Sequence, residues 1–286
     1  MTIEAVQLPD LRQQYDIIDL TLTLDERFPA VGSWLPGFHH RVWNWFTEVP
    51  DGPQPLIARS YTDVTAPEPT AERPNVFYSC FMVLFEHTGT HFDAPTHVIP
   101  PADTGLPAAN EHGLYGDQID LTRLQGQACV IDVRSLAGQS APGTSPLVQP
   151  EHVMEWEKEH GDLRAGDAVL FCTGWDQLYV AYPEHTDYQD AFKNKNVPGW
   201  TAVSESAMDY LYDRGIRLVG TESTSMGAVE DVYGVHYNGL GRGVLYVESL
   251  TGLAALPARG SYFVFCPLKV ARSSGCAGRA FAYIPR

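Results

Sequence analysis

The chain is short of positive charge, of paired cysteines and of long apolar runs, and each shortage closes off a class of function. Nineteen lysines and arginines stand against 35 aspartates and glutamates, for a formal net charge of −16. Nucleic acid and anionic membranes both call for a basic surface, so neither is an expected partner. No apolar run approaches the roughly 18 residues that a membrane span demands. Met1 to Asp19 carries Glu4, Asp10, Arg12 and Asp16 and lacks the apolar stretch of a signal peptide. The five cysteines, Cys80, Cys129, Cys172, Cys266 and Cys276, contain no CxxC pair. Their odd number and apolar neighbours fit reduced core thiols in a cytoplasmic protein better than a disulfide framework. No GxSxG elbow is present for a serine nucleophile. Gly239-x-Gly241-x-Gly243 is spaced like a phosphate loop, but it reads as leading into a strand rather than opening a helix.

What is there describes a globular protein. Of 286 residues, 44% are hydrophobic and 19% charged, enough to bury a large core. With no repeat and no linker composition, residues 1–286 read as one domain. Short runs rich in β-branched and aromatic residues predict strands at Ile17–Leu22, Val76–Glu86, Ala128–Val133, Ala168–Thr173, Ile216–Gly220, Gly243–Glu248, Tyr262–Cys266 and Arg279–Ile284. One helix is expected to follow Gln149-Pro150-Glu151. Another is expected from near Thr201, with Val203, Ala207, Tyr210 and Leu211 on one face, ending at Gly215. Pro100–Gly116 and Gly138–Pro150 read as surface loops. The balance predicts a mixed α/β fold with a mostly β core and flanking helices.

The chemistry concentrates in His87-Thr88-Gly89-Thr90-His91-Phe92-Asp93-Ala94-Pro95-Thr96-His97, which holds three histidines and an aspartate in eleven residues. Imidazole nitrogen mixed with carboxylate oxygen suits zinc, manganese or iron rather than calcium or magnesium. Gly89, two threonines and Pro95 disfavour a helix like that of HExxH proteins. A straight strand would put His87 and His91 roughly 13 Å apart, at about 3.3 Å per residue. One ion cannot be reached from both ends of such a strand. The chain must therefore bend, and Gly89 is the place where it can.

This run matches the HxGTHxDxPxH signature and so resembles the cyclase-like metal-hydrolase family, which includes bacterial kynurenine formamidases, isatin hydrolases and trans-dienelactone hydrolases. The resemblance extends along the chain through Asp16–Thr21, Gly166–Trp175, Pro198-Gly199, Leu218–Glu222, His236–Glu248, Pro267-Leu268-Lys269 and Arg279-Ala280. It implies a single swivelling β/β/α-type domain. It also implies that one ion takes His87 and His91, that Asp93 bridges two ions, that His236 binds the second, and that Glu248 contacts both. His97 is implied to be the proton donor and acceptor rather than a ligand. The cofactor is expected to be Zn2+ or Mn2+, one or two ions per chain.

The implied reaction is attack by a metal-bound hydroxide on an amide or ester carbonyl of a small-molecule substrate, with His97 moving a proton to the leaving atom. The Pro100–Gly116 loop is additional to the shorter kynurenine formamidases, and Glu222 stands where relatives usually carry Asp. Both differences favour a cyclic amide or lactone over an arylformamide, because loops beside a shared metal core reshape specificity. Trp34, in a stretch that also holds Trp43, Trp45 and Phe46, is a candidate substrate contact. A homo-oligomer is also implied.

Two other readings use the same residues. His91, Asp93 and His236 spell the two-histidine, one-carboxylate triad of non-haem iron oxygenases. That triad leaves His87, His97 and Glu248 without a role, and Tyr246 stands where oxoglutarate-dependent members usually place an arginine. A non-catalytic metal-binding protein would have no need of His97. His39, His40, His112, His152, His160 and His185 read as surface or loop histidines.

Overall fold

A computed structural model describes residues 11–29, 38–44, 79–182 and 187–286. Along the chain the strands are β1 (Tyr15–Asp19), β2 (His39–Asn44), β3 (Ser79–Val83), β4 (His91–Asp93), β5 (Gln125–Asp132), β6 (Leu147–Val148), β7 (Ala168–Cys172), β8 (Ala202–Val203), β9 (Leu218–Thr221), β10 (Leu245–Glu248), β11 (Ser261–Pro267) and β12 (Gly275–Pro285). The helices are α1 (Leu11–Gln14), α2 (Pro150–His160), α3 (Asp187–Asn194), α4 (Glu205–Asp213) and α5 (Gly234–Leu240). The mixed α/β, mostly β expectation holds.

Eight strands form the main sheet in the order β1-β12-β11-β5-β7-β9-β10-β4. The long strand β12 closes it on itself: Gly275–Ala277 pairs with β4, while the rest of β12 pairs with β11 and with β1. The result is a barrel-like core in which β5, β7, β9 and β10 run parallel. Parallel strands are covered on both faces, and β7 shows why its sequence is apolar throughout. Ala168, Leu170 and Cys172 face the barrel interior with Phe92, Phe263 and Phe265. Val169 and Phe171 point the other way, against Val153, Trp156, Met208 and Leu211 of α2 and α4.

The helices are fixed to that outer face by specific ends. Pro150 opens α2, Gln149 N donates to His152 Nδ1 at 2.8 Å, and Trp156 Nε1 donates to the Val130 carbonyl at 2.8 Å. Ser204 caps α4 by accepting from Ala207 N at 3.1 Å. The helix expected from Thr201 therefore starts later, because Val203 belongs to β8 and pairs with Val148 of β6. The strand expected at Ile216 begins at Leu218, since Ile216 still bonds back to the Leu211 carbonyl at the end of α4. Three helices escaped the sequence reading, the four-residue α1, α3 and α5. Gly234 and Gly239 lower the helix propensity of α5, so only its packing makes it helical. A Cβ on Gly239 would lie 1.8 Å from the Tyr246 hydroxyl, which makes glycine obligatory there.

Pro100–Gly116 is largely irregular, with one 3-10 turn at Ala102–Thr104 and a bridge between Pro101 and Asn110, as a loop should be. Gly138–Pro150 contains β6 near its end. Cys129, Cys172, Cys266 and Cys276 form no disulfide; Cys129, Cys172 and Cys276 are buried and Cys266 is exposed. Among the described residues, no helix is long and apolar enough to cross a membrane.

Candidate metal centre and its cavity

Strand register assembles the centre. Beta4 and β10 pair antiparallel with His91 opposite Glu248 and Asp93 opposite Tyr246. Side chains two apart share a face, and so do directly opposed residues, so His91, Asp93 and Glu248 point to one side. Phe92 and Val247 go to the other and join the barrel core. The bend before β4 lies where glycine was expected to permit it. Gly89 adopts φ +64°, and a Cβ there would meet Leu24 Cδ2 at 2.5 Å. His87 is thereby turned back toward Asp93, with Nδ1 2.7 Å from Asp93 Oδ1.

His236 arrives from α5, which is held on β10 by the Tyr246 hydroxyl donating to the Val235 carbonyl at 2.7 Å. Its Nε2 lies 3.3 Å from Asp93 Oδ2 and 3.2 Å from Glu248 Oε1. Glu248 is set by Met226 N, which donates to Oε1 at 2.6 Å. Ser249 follows it at φ +56°, a strained backbone for an L-residue. Thr90 Oγ1, donating to the Ser249 carbonyl at 2.5 Å, and Ser249 N, donating to the Ser223 carbonyl at 3.0 Å, hold it there.

The donors fit a divalent cation. His91 Nδ1 is 2.8 Å from the Gly89 carbonyl and His236 Nδ1 is 2.5 Å from the Val232 carbonyl. A carbonyl can only accept, so each Nδ1 carries the proton and each Nε2 presents a lone pair to the carboxylates. His91 Nε2 stands 3.4 Å from Asp93 Oδ1 and 3.5 Å from Glu248 Oε2. Among the described residues, His91 Nε2 and Asp93 Oδ2 are buried without any hydrogen-bond partner. Lone pairs facing lone pairs in a buried place need a positive charge between them. Two triplets, His91 with Asp93 and Glu248, and His87 with Asp93 and His97, each bring three ligand atoms within 4.8 Å of one another.

Without a metal, protons would fill that need. Burial opposes charge on His91 and His236, yet hydrogen bonds to Asp93 and Glu248 outweigh it and push both pKa values up to about 10. Burial likewise opposes ionisation of Asp93, but His87, His97 and His236 hold its carboxyl well below the usual range. His97 behaves differently. Burial, abetted by His87 and His236, lowers its pKa below the ordinary 6.5 against the pull of Asp93. It sits on a 3-10 turn (Pro95–His97) with its ring 4.0 Å from His87 and 5.9 Å from His236.

The centre forms the floor of a cavity of about 310 Å³. Phe85, Val98, Phe192, Trp200 and Tyr233 make its walls largely apolar. Behind His87, Nε2 meets Ser274 Oγ at 2.9 Å, and Ser274 Oγ donates to Glu86 Oε2 at 2.6 Å. Ser274 therefore accepts from His87 Nε2–H, which leaves Nδ1 as the nitrogen turned to Asp93. The structure thus gathers His87, His91, Asp93, His97, His236 and Glu248 into one site. Ser274, Glu86, Phe192, Trp200 and Gln189 also belong to it or its walls, and nothing in their spacing announced them. Trp34, Trp45 and Phe46 lie outside the described residues, as does His185. His112, His152 and His160 stay apart from the donor cluster.

Glu222 also stays apart. Its buried carboxylate accepts from Thr173 N, Gly174 N and Leu253 N, each at 2.8 Å, and pins three loops together.

Known proteins resemble the chain in sequence and in fold. The cyclase family model matches residues 18–228. The chain is 32% identical over 214 residues to the isatin hydrolase of Roseibium aggregatum, covering 72% of this chain and 74% of that one. It is 27% identical over 265 residues to the kynurenine formamidase of Salinibacter ruber, covering 92% of this chain and 95% of that one. The crystal structure of an isatin hydrolase bound to the product analogue thioisatinate superposes with a TM-score of 0.72 at 24% identity, over 96% of this chain and 95% of the other.

Proposed function

The chain belongs to the cyclase family, and from that premise we propose that it is a metal-dependent hydrolase that opens a cyclic amide or lactone fused to an aromatic ring. The observation that carries this reading is the pair of buried, unpartnered atoms, His91 Nε2 and Asp93 Oδ2, at the base of an aromatic-walled cavity. A divalent zinc or manganese ion held by His87, His91, Asp93, His236 and Glu248 supplies Lewis acidity, lowering the pKa of water and polarising a carbonyl.

The protein's own groups supply the rest. The aromatic walls exclude water and receive a flat apolar ring. His97, on the rim of the donor cluster and with a lowered pKa, is a neutral base at pH 7. As such it takes the proton released when water adds to the carbonyl, then delivers it to the departing nitrogen or oxygen. The Ser274–Glu86 pair holds the His87 ring so that the same nitrogen always faces Asp93. Similarity to an isatin hydrolase supports a cyclic amide in particular.

The iron-oxygenase reading is weaker in this geometry. Glu248 lies as close to His236 as Asp93 does and adds a carboxylate that the triad does not use.

The test is His97→Gln, assayed against cyclic imides, isatin, lactones and N-formylkynurenine. Metal content should equal that of the unaltered protein while turnover falls by about a hundredfold or more. Loss of metal together with turnover would make His97 a ligand, a role that its triplet with His87 and Asp93 permits. Absence of any turnover by the unaltered, metal-loaded protein would count against the hydrolase itself.

A further inference from the structure

Gln189 is a polar residue in the wrong place for a purely structural role. It lies on α3, is 5% exposed and lines the same cavity as the donor cluster. Its amide nitrogen Nε2 is buried with no hydrogen-bond partner among the described residues. A buried amide left unpaired is costly, so an unpaired one in a cavity wall points to an acceptor that arrives from outside. The other orphaned atoms divide cleanly. His91 Nε2 and Asp93 Oδ2 belong to the metal centre, and the remaining three are serine hydroxyls, of Ser79, Ser261 and Ser273, that do not line the cavity.

The placement of Gln189 is fixed rather than accidental. The neighbouring Tyr188 is fully buried, and its hydroxyl is 3.1 Å from Ser249 Oγ, directly after Glu248 in the chain. One turn along α3, Phe192 stacks beside Trp200, with ring centroids 6.3 Å apart at 25°. The carboxamide is thus a donor set in an aromatic wall and tied to the strand that carries a metal-site carboxylate. No lysine or arginine appears among the described residues lining the cavity, so the expected acceptor is neutral rather than a carboxylate.

We infer that Gln189 is a substrate-recognition residue whose carboxamide donates a hydrogen bond to a second carbonyl oxygen, distinct from the one that is attacked, on a flat bicyclic substrate. This rests on the hydrolase reading for which carbonyl is attacked, but the recognition itself is a binding property. A site built to hydrogen-bond a substrate oxygen discriminates against the analogue lacking it, because its own buried group is then stranded.

The experiment compares two probes that differ by one carbonyl, phthalimide and isoindolin-1-one. Their binding to metal-loaded protein is followed by tryptophan fluorescence on a stopped-flow timescale, and turnover of both is measured separately. The unaltered protein should favour phthalimide by roughly tenfold. In Gln189→Leu that preference should shrink to about twofold or less, with isoindolin-1-one affinity unchanged. If the leucine variant does not fold, Gln189→Met, unbranched and closer in shape, is read the same way. A preference that survives both substitutions overturns the inference. So does an equal loss of affinity for both probes, or a failure of the unaltered protein to bind either one. Intact preference without turnover would leave Gln189 in place and remove the hydrolase reading instead.

Discussion

Glu222 and Glu248 stand at the ends of neighbouring strands, β9 and β10, and both are almost completely buried. Their surroundings differ in kind. Three backbone N–H groups saturate the Glu222 carboxylate. Glu248, on the same face as Asp93, faces imidazole nitrogens at 3.2–3.5 Å and shares its pocket with two atoms that have no hydrogen-bond partner among the described residues. Burial raises the pKa of Glu222, and Asp176 adds to the effect. In Glu248 burial and Asp93 push the same way, but without a metal His236 and His91 would take up protons, donate to it, overcome both and lower its pKa. A buried acid whose oxygens are all satisfied by main chain is a structural pin. One that looks onto lone pairs is a site waiting for a cation.

The largest effect should come from breaking the second kind. Asp93→Asn keeps the shape and removes the charge that both triplets share. Metal content measured by elemental analysis should fall sharply, and turnover should drop by at least about a thousandfold. A variant that keeps its metal and its rate would erase the distinction between the two kinds of buried acid. Breaking the first kind should touch stability alone. Glu222→Ala strands three buried N–H groups and should cost about 3 kcal/mol in urea unfolding. The folded fraction should hold its full metal complement, and coupled loss of metal would mean that the pin belongs to the site.

Glu157 sharpens the contrast with a smaller effect. Its carboxylate accepts from Arg214 Nε at 2.8 Å, the Tyr210 hydroxyl at 2.6 Å and Leu163 N at 2.9 Å. Burial opposes its ionisation, but these partners, Arg214 first, bring its pKa below the ordinary 4.5. A depressed carboxylate pKa means stability present above the unfolded value and lost as the pH falls through the folded one. Glu157→Gln should therefore be about 1 kcal/mol less stable than the unaltered protein at pH 7. The gap should close below pH 4.5 as the unaltered protein loses its advantage. Glu222 has the opposite sign: its raised pKa makes its contribution most favourable in acid and weaker as the pH rises. Unfolding curves of both variants from pH 4 to 7 that ran parallel to the unaltered protein would contradict these assignments.

Much of this architecture is written locally. The apolar runs located the eight main strands except β4, which is three residues long and hidden inside the metal-binding segment. The impossibility of a straight His87–His91 reach located the bend at Gly89 before its φ of +64° was known. Helix α5 was not legible, since two glycines in seven residues argue against a helix and only Tyr246 beneath Gly239 explains them. Helix α3 was missed as well, and with it Gln189 and its unpaired amide in the cavity wall.

The sequence by itself determined the ligand chemistry, because three imidazoles and a carboxylate within one bent segment can converge without help from the rest of the chain. It also determined the main-sheet strands other than β4, because periodicity and β-branching act over a few residues. Only the tertiary structure decided that Glu248 sits opposite His91, that His236 reaches Asp93 from a helix 143 residues further on in sequence, and that Glu222 serves the scaffold rather than the site. Those outcomes depend on strand register and on which backbone donors happen to surround a buried acid. Both are set by packing between segments far apart in the chain, where no local spacing carries the information.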